Sequence, residues 1–195
     1  MLERLFRSKA EVKVLGIVLF AERLHLREIA RRAGISSSEA KRELDILTSA
    51  GILEAEKKGN LTLFQQNSCC PFLEELKGLY LKTEGVFALL EKAVGKVSGI
   101  EFAFVYGSFA RGEYGEKSDV DLMVVGSPGM GKLNKKIMEV EKKAEREVNY
   151  SVYSLSEFHR KATLSGFLRQ VLAEKRVMLC GGEDEFKRFA GKHLF

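Results

Sequence analysis

Tyr106-Gly107-Ser108-Phe109-Ala110-Arg111-Gly112, followed by Ser118-Asp119-Val120-Asp121-Leu122, is the stretch that decides the fold of this chain. An apolar run from Ile100 to Tyr106, broken only by Glu101, leads into the Gly-Ser. A second run, Leu122 to Val125, follows the aspartates. Each has the length and composition of a buried strand. Residues two apart in a strand share a face, so Asp119 and Asp121 aim at the same point. Two carboxylates side by side repel unless a cation sits between them. Mg²⁺ is usually held by one or two carboxylates and completed by substrate phosphates. Gly107 lets a backbone come close to phosphate, and Ser108 offers a hydroxyl and an N–H at the start of the next turn. The arrangement suits a metal–nucleoside-triphosphate site. The plainer alternative is a tight turn followed by two solvated aspartates at the start of a strand.

The same residues resemble the nucleotidyltransferase fold of the DNA polymerase β superfamily. They look most like its minimal nucleotidyltransferases, whose signature is Gly-Ser, a spacer of this length, then Asp-x-Asp. Gly107, Ser108, Asp119 and Asp121 carry the resemblance, and Arg111, Gly112 and Ser118 also fit it. It covers roughly residues 84 to 155, with weaker support to the C-terminus. The resemblance implies Mg²⁺-dependent transfer of a nucleoside monophosphate from an NTP, ATP foremost, to a hydroxyl acceptor, with release of pyrophosphate. Asp119 and Asp121 would be catalytic and ligate the metal, while Gly107, Ser108 and Arg111 would bind nucleotide.

The superfamily also carries a third carboxylate on a neighbouring strand. The matching segment here is Glu147-Val148-Asn149-Tyr150-Ser151-Val152-Tyr153, in which Glu147, Asn149, Ser151 and Tyr153 share a face. Asn149 is the best match and so joins the catalytic set. An amide oxygen can ligate a metal but carries no charge and is a poor base. Glu147, two residues earlier on the same face, substitutes if the register differs. The departure bears more on catalysis than on nucleotide binding.

The first 66 residues read as a separate domain. Val12, Leu15, Val18, Leu19 and Ala21 have helical spacing from about Ser8 to Arg23. Leu26 to Ala33 is a short second helix stopped by Gly34, and Ser36-Ser37-Ser38-Glu39 caps a third that runs to about Ala50. Residues 52 to 64 then read as a hairpin around Gly59-Asn60. Three helices and a hairpin resemble a winged helix-turn-helix over residues 8 to 66. That resemblance implies duplex DNA as partner, with the third helix in the major groove. Ser37, Ser38, Lys41 and Arg42 would be its outward DNA-binding residues, and Lys57 and Lys58 would reach phosphate from the hairpin. The alternative is a winged helix used only for dimerisation or protein contact. This domain holds 12 Lys+Arg against 9 Asp+Glu, a mild excess that permits either.

The expected architecture is therefore α/β in the broad sense, α+β by arrangement. Residues 1–66 form the winged helix, 67–83 a coupling helix opened by Pro71, and 84–195 a small mixed-sheet nucleotidyltransferase domain. After Val125, Leu133, Ile137, Val140 and Ala144 mark a helix whose Lys-rich outer face has Glu partners at helical spacing. Further helices are expected from Ser156, from Gly166 to Glu174 and from Asp184, with a short strand at Arg176 to Cys180.

Composition narrows the classes. The chain of 195 residues is 45% hydrophobic and 30% charged, a soluble globular balance. A net charge of +5 permits nucleic-acid or nucleotide binding without requiring it. The longest apolar stretch, Val12 to Ala21, is interrupted by Lys13 and is too short to span a bilayer. Met1-Leu-Glu-Arg does not open a secretion signal, so a cytoplasmic location without membrane partner is expected. Three Cys fit no zinc pattern, and His25, His159 and His193 are scattered and read as structural. Three functions compete. The first is a modifier of a macromolecule, such as an antitoxin that adenylylates a protein partner or toxin. The second is a transcriptional regulator, acting as a homodimer, whose degenerate transferase domain only senses nucleotide. The third is a small-molecule modifier, which gains nothing from a DNA-binding domain.

Overall fold

The computed structural model of this chain describes residues 2–114 and 118–191. Part of the spacer between the Gly-Ser and the aspartates, and His193, lie outside the described residues. Contacts divide the chain into two units, Met1–Gly85 and Val86–Phe195.

The first unit opens with α1 (Lys9–Val18), capped by Ser8, whose Oγ accepts from the Glu11 N–H at 2.9 Å. The helix stops at Val18, short of the expected Arg23, because the chain turns there to form β1 (Leu24–His25). His25 then caps α2 (Leu26–Ala33), its Nδ1 accepting from the Glu28 N–H at 3.2 Å. Gly34, at a φ of +64°, ends that helix. Ser36 caps α3 (Ser37–Ser49). The hairpin follows as β2 (Leu53–Lys58) and β3 (Leu61–Gln66), with β1 added antiparallel to β3 to give the order β1-β3-β2. The unit closes with α4 (Leu73–Thr83).

Leu15, Val18, Ile29, Leu44, Leu47 and Phe64 form a single buried cluster with Leu73 and Leu76 of α4. The segment expected to couple the halves thus contributes to the core of the first unit. Its Tyr80 lies over Gly16 of α1, where a side-chain Cβ would come within 2.0 Å of the phenol oxygen.

The second unit is built on a four-stranded mixed sheet. In chain order its elements are α5 (Val86–Val94), β4 (Ile100–Tyr106), a single turn α6 (Gly107–Arg111) and β5 (Val120–Gly126). Then come α7 (Met130–Ala144), β6 (Val148–Tyr153), α8 (Leu155–Leu164), α9 (Gly166–Ala173), β7 (Val177–Cys180) and α10 (Glu183–Gly191). The strand order is β6-β5-β4-β7. β4 lies antiparallel to β5 and β7, and β5 parallel to β6. The fold class is α+β.

Alternation along the central strands sorts their side chains. Phe104, Tyr106, Met123 and Val125 face one side and pack with Phe158 of α8, Leu168 and Val171 of α9 and Phe186 of α10. Ala103, Val105, Leu122 and Val124 are fully buried on the other side. α8 starts slightly earlier than expected because Ser154, two residues before Ser156, is its cap. Ser154 and Glu157 form a reciprocal capping box. Among the described residues no helix is long and apolar enough to cross a membrane.

Candidate active site

The end of β4, the turn of α6 and the start of β5 converge where the aromatic cluster stops. Sheet register sets the site. Asp121 lies opposite Tyr106 on β4 and opposite Asn149 on β6, so Tyr106, Asp121 and Asn149 form one row across the sheet. Neighbours in such a row share a face. Asp119 stands just ahead of β5, two residues back, and is exposed, while Asp121 is half-buried.

Gly107 makes the close approach possible. It sits at a φ of +70°, in the left-handed region, and a Cβ there would fall 2.6 Å from Asp121 Oδ2. Any other residue would meet both the backbone strain and the carboxylate. Ser108 follows in α6, and Arg111 ends it.

The electrostatics match this geometry. Asp121 is pushed above the ordinary carboxylate range, first by burial and then by the charge of Asp119, with Arg111 pulling the other way. Tyr106 is raised by burial, then by the charge of Asp121, and a hydrogen bond with Ser151 opposes the shift. A carboxylate whose ionisation is opposed by a neighbouring acid is a place for a cation.

Asn149 does not extend that negative charge. Its Nδ2 donates to Asp119 Oδ2 at 3.3 Å, so the amide hydrogen-bonds to the acid pair instead of adding a third carboxylate. Glu147 is exposed and precedes β6. Among the described residues, no group of three or more His, Cys, Asp or Glu could hold a metal ion.

Arg111 is engaged by acids that the sequence did not single out. Its Nε and Nη2 donate to the two carboxylate oxygens of Glu113, each at 3.0 Å, and its Nη1 donates to Glu174 Oε2 at 2.9 Å. These bonds raise the guanidinium pKa and hold the Glu113 carboxyl low. Glu113 could have been suspected from its place two residues after Arg111. Glu174 lies 63 residues away and left no local signal.

The residues expected to meet DNA lie in the other unit. Ser37, Ser38, Lys41 and Arg42 are exposed on α3, and Lys57 and Lys58 are exposed on β2. Lys41 forms an ion pair with Asp45. Arg42 pairs with Glu43 at 3.2 Å, and this buried carboxylate also accepts from Ser8 Oγ at 3.1 Å.

Residues 90–184 match the family described as polymerase beta, nucleotidyltransferase. A candidate protein adenylyltransferase of Methanocaldococcus jannaschii is 35% identical over 95 residues, which are 49% of this chain and 91% of that relative. The chain belongs to the polymerase β nucleotidyltransferase family, and the match falls within its second unit. Nucleotidyltransferases of this type use a divalent metal. The partly exposed Asp119–Asp121 pair fits one, because two carboxylates leave coordination positions for substrate phosphates and water.

Two solved structures are similar at a lower level. A toxin–antitoxin complex with AMP-PNP is 16% identical at a TM-score of 0.41, over 55% of this chain and 83% of that one. Reduced HlyU from Vibrio cholerae N16961 is 18% identical at 0.33, over 42% of this chain and 81% of that one. Superpositions this shallow carry no inference for this chain.

Proposed function

We propose that the second unit transfers a nucleoside monophosphate from an NTP to a hydroxyl of a protein acceptor, and that the first unit is a winged helix-turn-helix that binds duplex DNA. The observation that carries the first half is the meeting of Asp121 with the charge of Asp119 and with a left-handed Gly107, where a Cβ would fall 2.6 Å from the Asp121 carboxylate. The likeness to an archaeal relative named as a protein adenylyltransferase supports a protein acceptor.

In this reading Asp119 and Asp121 hold Mg²⁺, and Gly107 and Ser108 hold the β- and γ-phosphates through backbone N–H groups and the hydroxyl. When bound, the ion supplies charge neutralisation on the triphosphate and assists the attacking oxygen. The acceptor oxygen forms a bond to the α-phosphorus as the bond to pyrophosphate breaks. Arg111 offsets charge gathering on the leaving pyrophosphate. The neutral amide of Asn149 cannot take the proton of the attacking hydroxyl, so transfer is slow relative to a site with three carboxylates.

Calorimetric titration with Mg²⁺–NTP tests the site. The double substitution Asp119→Ala, Asp121→Ala is expected to abolish metal-dependent binding while leaving the fold intact. Unchanged affinity would remove the assignment. Incubation of the chain with labelled NTPs, Mg²⁺ and cell lysate then tests for a labelled protein acceptor.

The bond from Asn149 to Asp119 also favours a second reading, a DNA-binding regulator whose transferase domain senses nucleotide without turning it over. Tight Mg²⁺–NTP binding with no labelled acceptor, and operator affinity that changes with nucleotide, would select it.

A further inference from the structure

We propose that Glu174 is a latch on the triphosphate site: it holds the Arg111 guanidinium against the end of α9 and competes with the triphosphate for it. This rests on the nucleotide reading given above. Arg111 already places three of its five N–H groups on carboxylates, two on Glu113 and one on Glu174. One cation facing two acids leaves the cluster net negative where a polyanion must arrive.

The two acids are not equivalent. Glu113 follows Arg111 by two residues and can move with it. Glu174 caps the far end of a different helix, so its bond ties α6 to α9. It is also fixed from behind. Gln170, one turn earlier on α9, donates its Nε2 to Glu174 Oε1 at 2.9 Å, which leaves Oε2 for Arg111. The Glu174 side chain is 25% exposed against 61% for Glu113, so its pair with Arg111 is less screened by water. A phosphate oxygen suits a guanidinium as well as a carboxylate does. The Nη1 N–H that Glu174 holds therefore passes to the triphosphate only as it leaves Glu174, and the latched fraction of molecules lowers the apparent affinity.

The test is titration of the full chain with magnesium tripolyphosphate, which requires no base recognition. Four proteins are compared: wild type, Glu174→Gln, Arg111→Ala and the double variant, each checked for its fold by circular dichroism. Glu174→Gln is expected to bind about three- to fivefold more tightly than wild type. In the Arg111→Ala background the same change is expected to have no effect. Unchanged or weaker binding by Glu174→Gln overturns the latch and leaves the triphosphate site standing. An equal gain without Arg111 also overturns it, since the effect would then be general charge repulsion. A folded wild type that binds no tripolyphosphate removes the nucleotide site itself, and the latch with it.

Discussion

Asn149 is where one atom type decides between chemistry and binding. Its amide nitrogen, 3.3 Å from Asp119, stands where a carboxylate would repel that acid and draw a second cation. Asn149→Asp is expected to speed transfer to a protein acceptor by about a hundredfold, the lower end of what a positioned base contributes. Single-turnover labelling measures it. Loss of activity in Glu147→Gln with no gain in Asn149→Asp would move the role from position 149 to Glu147. A second residue-scale effect belongs to Glu28. Hydrogen bonds from Arg31 and then Arg32 hold its carboxyl down at about 2, below its ordinary 4.5. A depressed carboxylate contributes stability above its ordinary value and loses it as pH falls toward the folded one. Glu28→Gln should therefore melt earlier than wild type at pH 7, with the gap closing between pH 4.5 and about 2. Thermal melts across that range decide it, and a gap that stays constant would contradict the ion-pair account. Residue identity was the most legible level. The Gly-Ser and Asp-x-Asp lie within fifteen positions, so spacing alone brought them together. The acids that claim Arg111 were illegible, because nothing local selects Glu174 from the chain's 27 acids.

Elements were legible where a period or a cap marked them. β4 runs from Ile100 to Tyr106 as its apolar run predicts, and α2 ends where Gly34 stops it. β1 was missed because two residues cannot display a period of two, and only pairing with β3 defines them as a strand. α1 was read too long because Leu19 and Ala21 continue the apolar spacing beyond the helix. Both are buried, so the spacing reported burial and not helix. Packing between elements gives a sharp expectation at Gly16. Gly16→Ala adds helix propensity but drives a Cβ into the ring of Tyr80, itself raised in pKa by burial. The net cost should be about 1–2 kcal/mol, the usual range for overpacking less the propensity gain. Chemical denaturation reads it, and Tyr80→Leu in the same chain should restore most of the loss. On α3 the expectation concerns DNA. Lys41→Ala and Arg42→Ala should each weaken binding by roughly 1–3 kcal/mol if they meet bases or buried phosphate. Affinity should also fall with added salt. Lys41 must first give up Asp45, which places its effect at the lower end. Genomic selection that enriches no sequence motif would remove the DNA reading.

At the scale of the whole molecule, the chain divides into two bodies between Gly85 and Val86. Each has its own buried cluster, one around Leu15, Leu44 and Phe64, the other around Phe104, Phe158 and Phe186. Expressed apart, residues 1–85 and 86–195 are each expected to fold, with cooperative melts and native circular dichroism. The second should retain metal-dependent triphosphate binding within about twofold. Failure of either piece to fold alone would show that the halves share stability. Residues 67–83 illustrate why this level is hard to read in sequence. An amphipathic helix announces that it needs a partner but not which one, and Leu73 and Leu76 found theirs upstream. The archaeal relative is covered almost whole by 95 residues of this chain, and the family match, residues 90–184, falls within the second body. In this chain the same module is made in lockstep with a second one, from one message and in a fixed ratio of one to one. Neither half can be produced in excess of the other, and wherever the first is localised the second is delivered at the same dose.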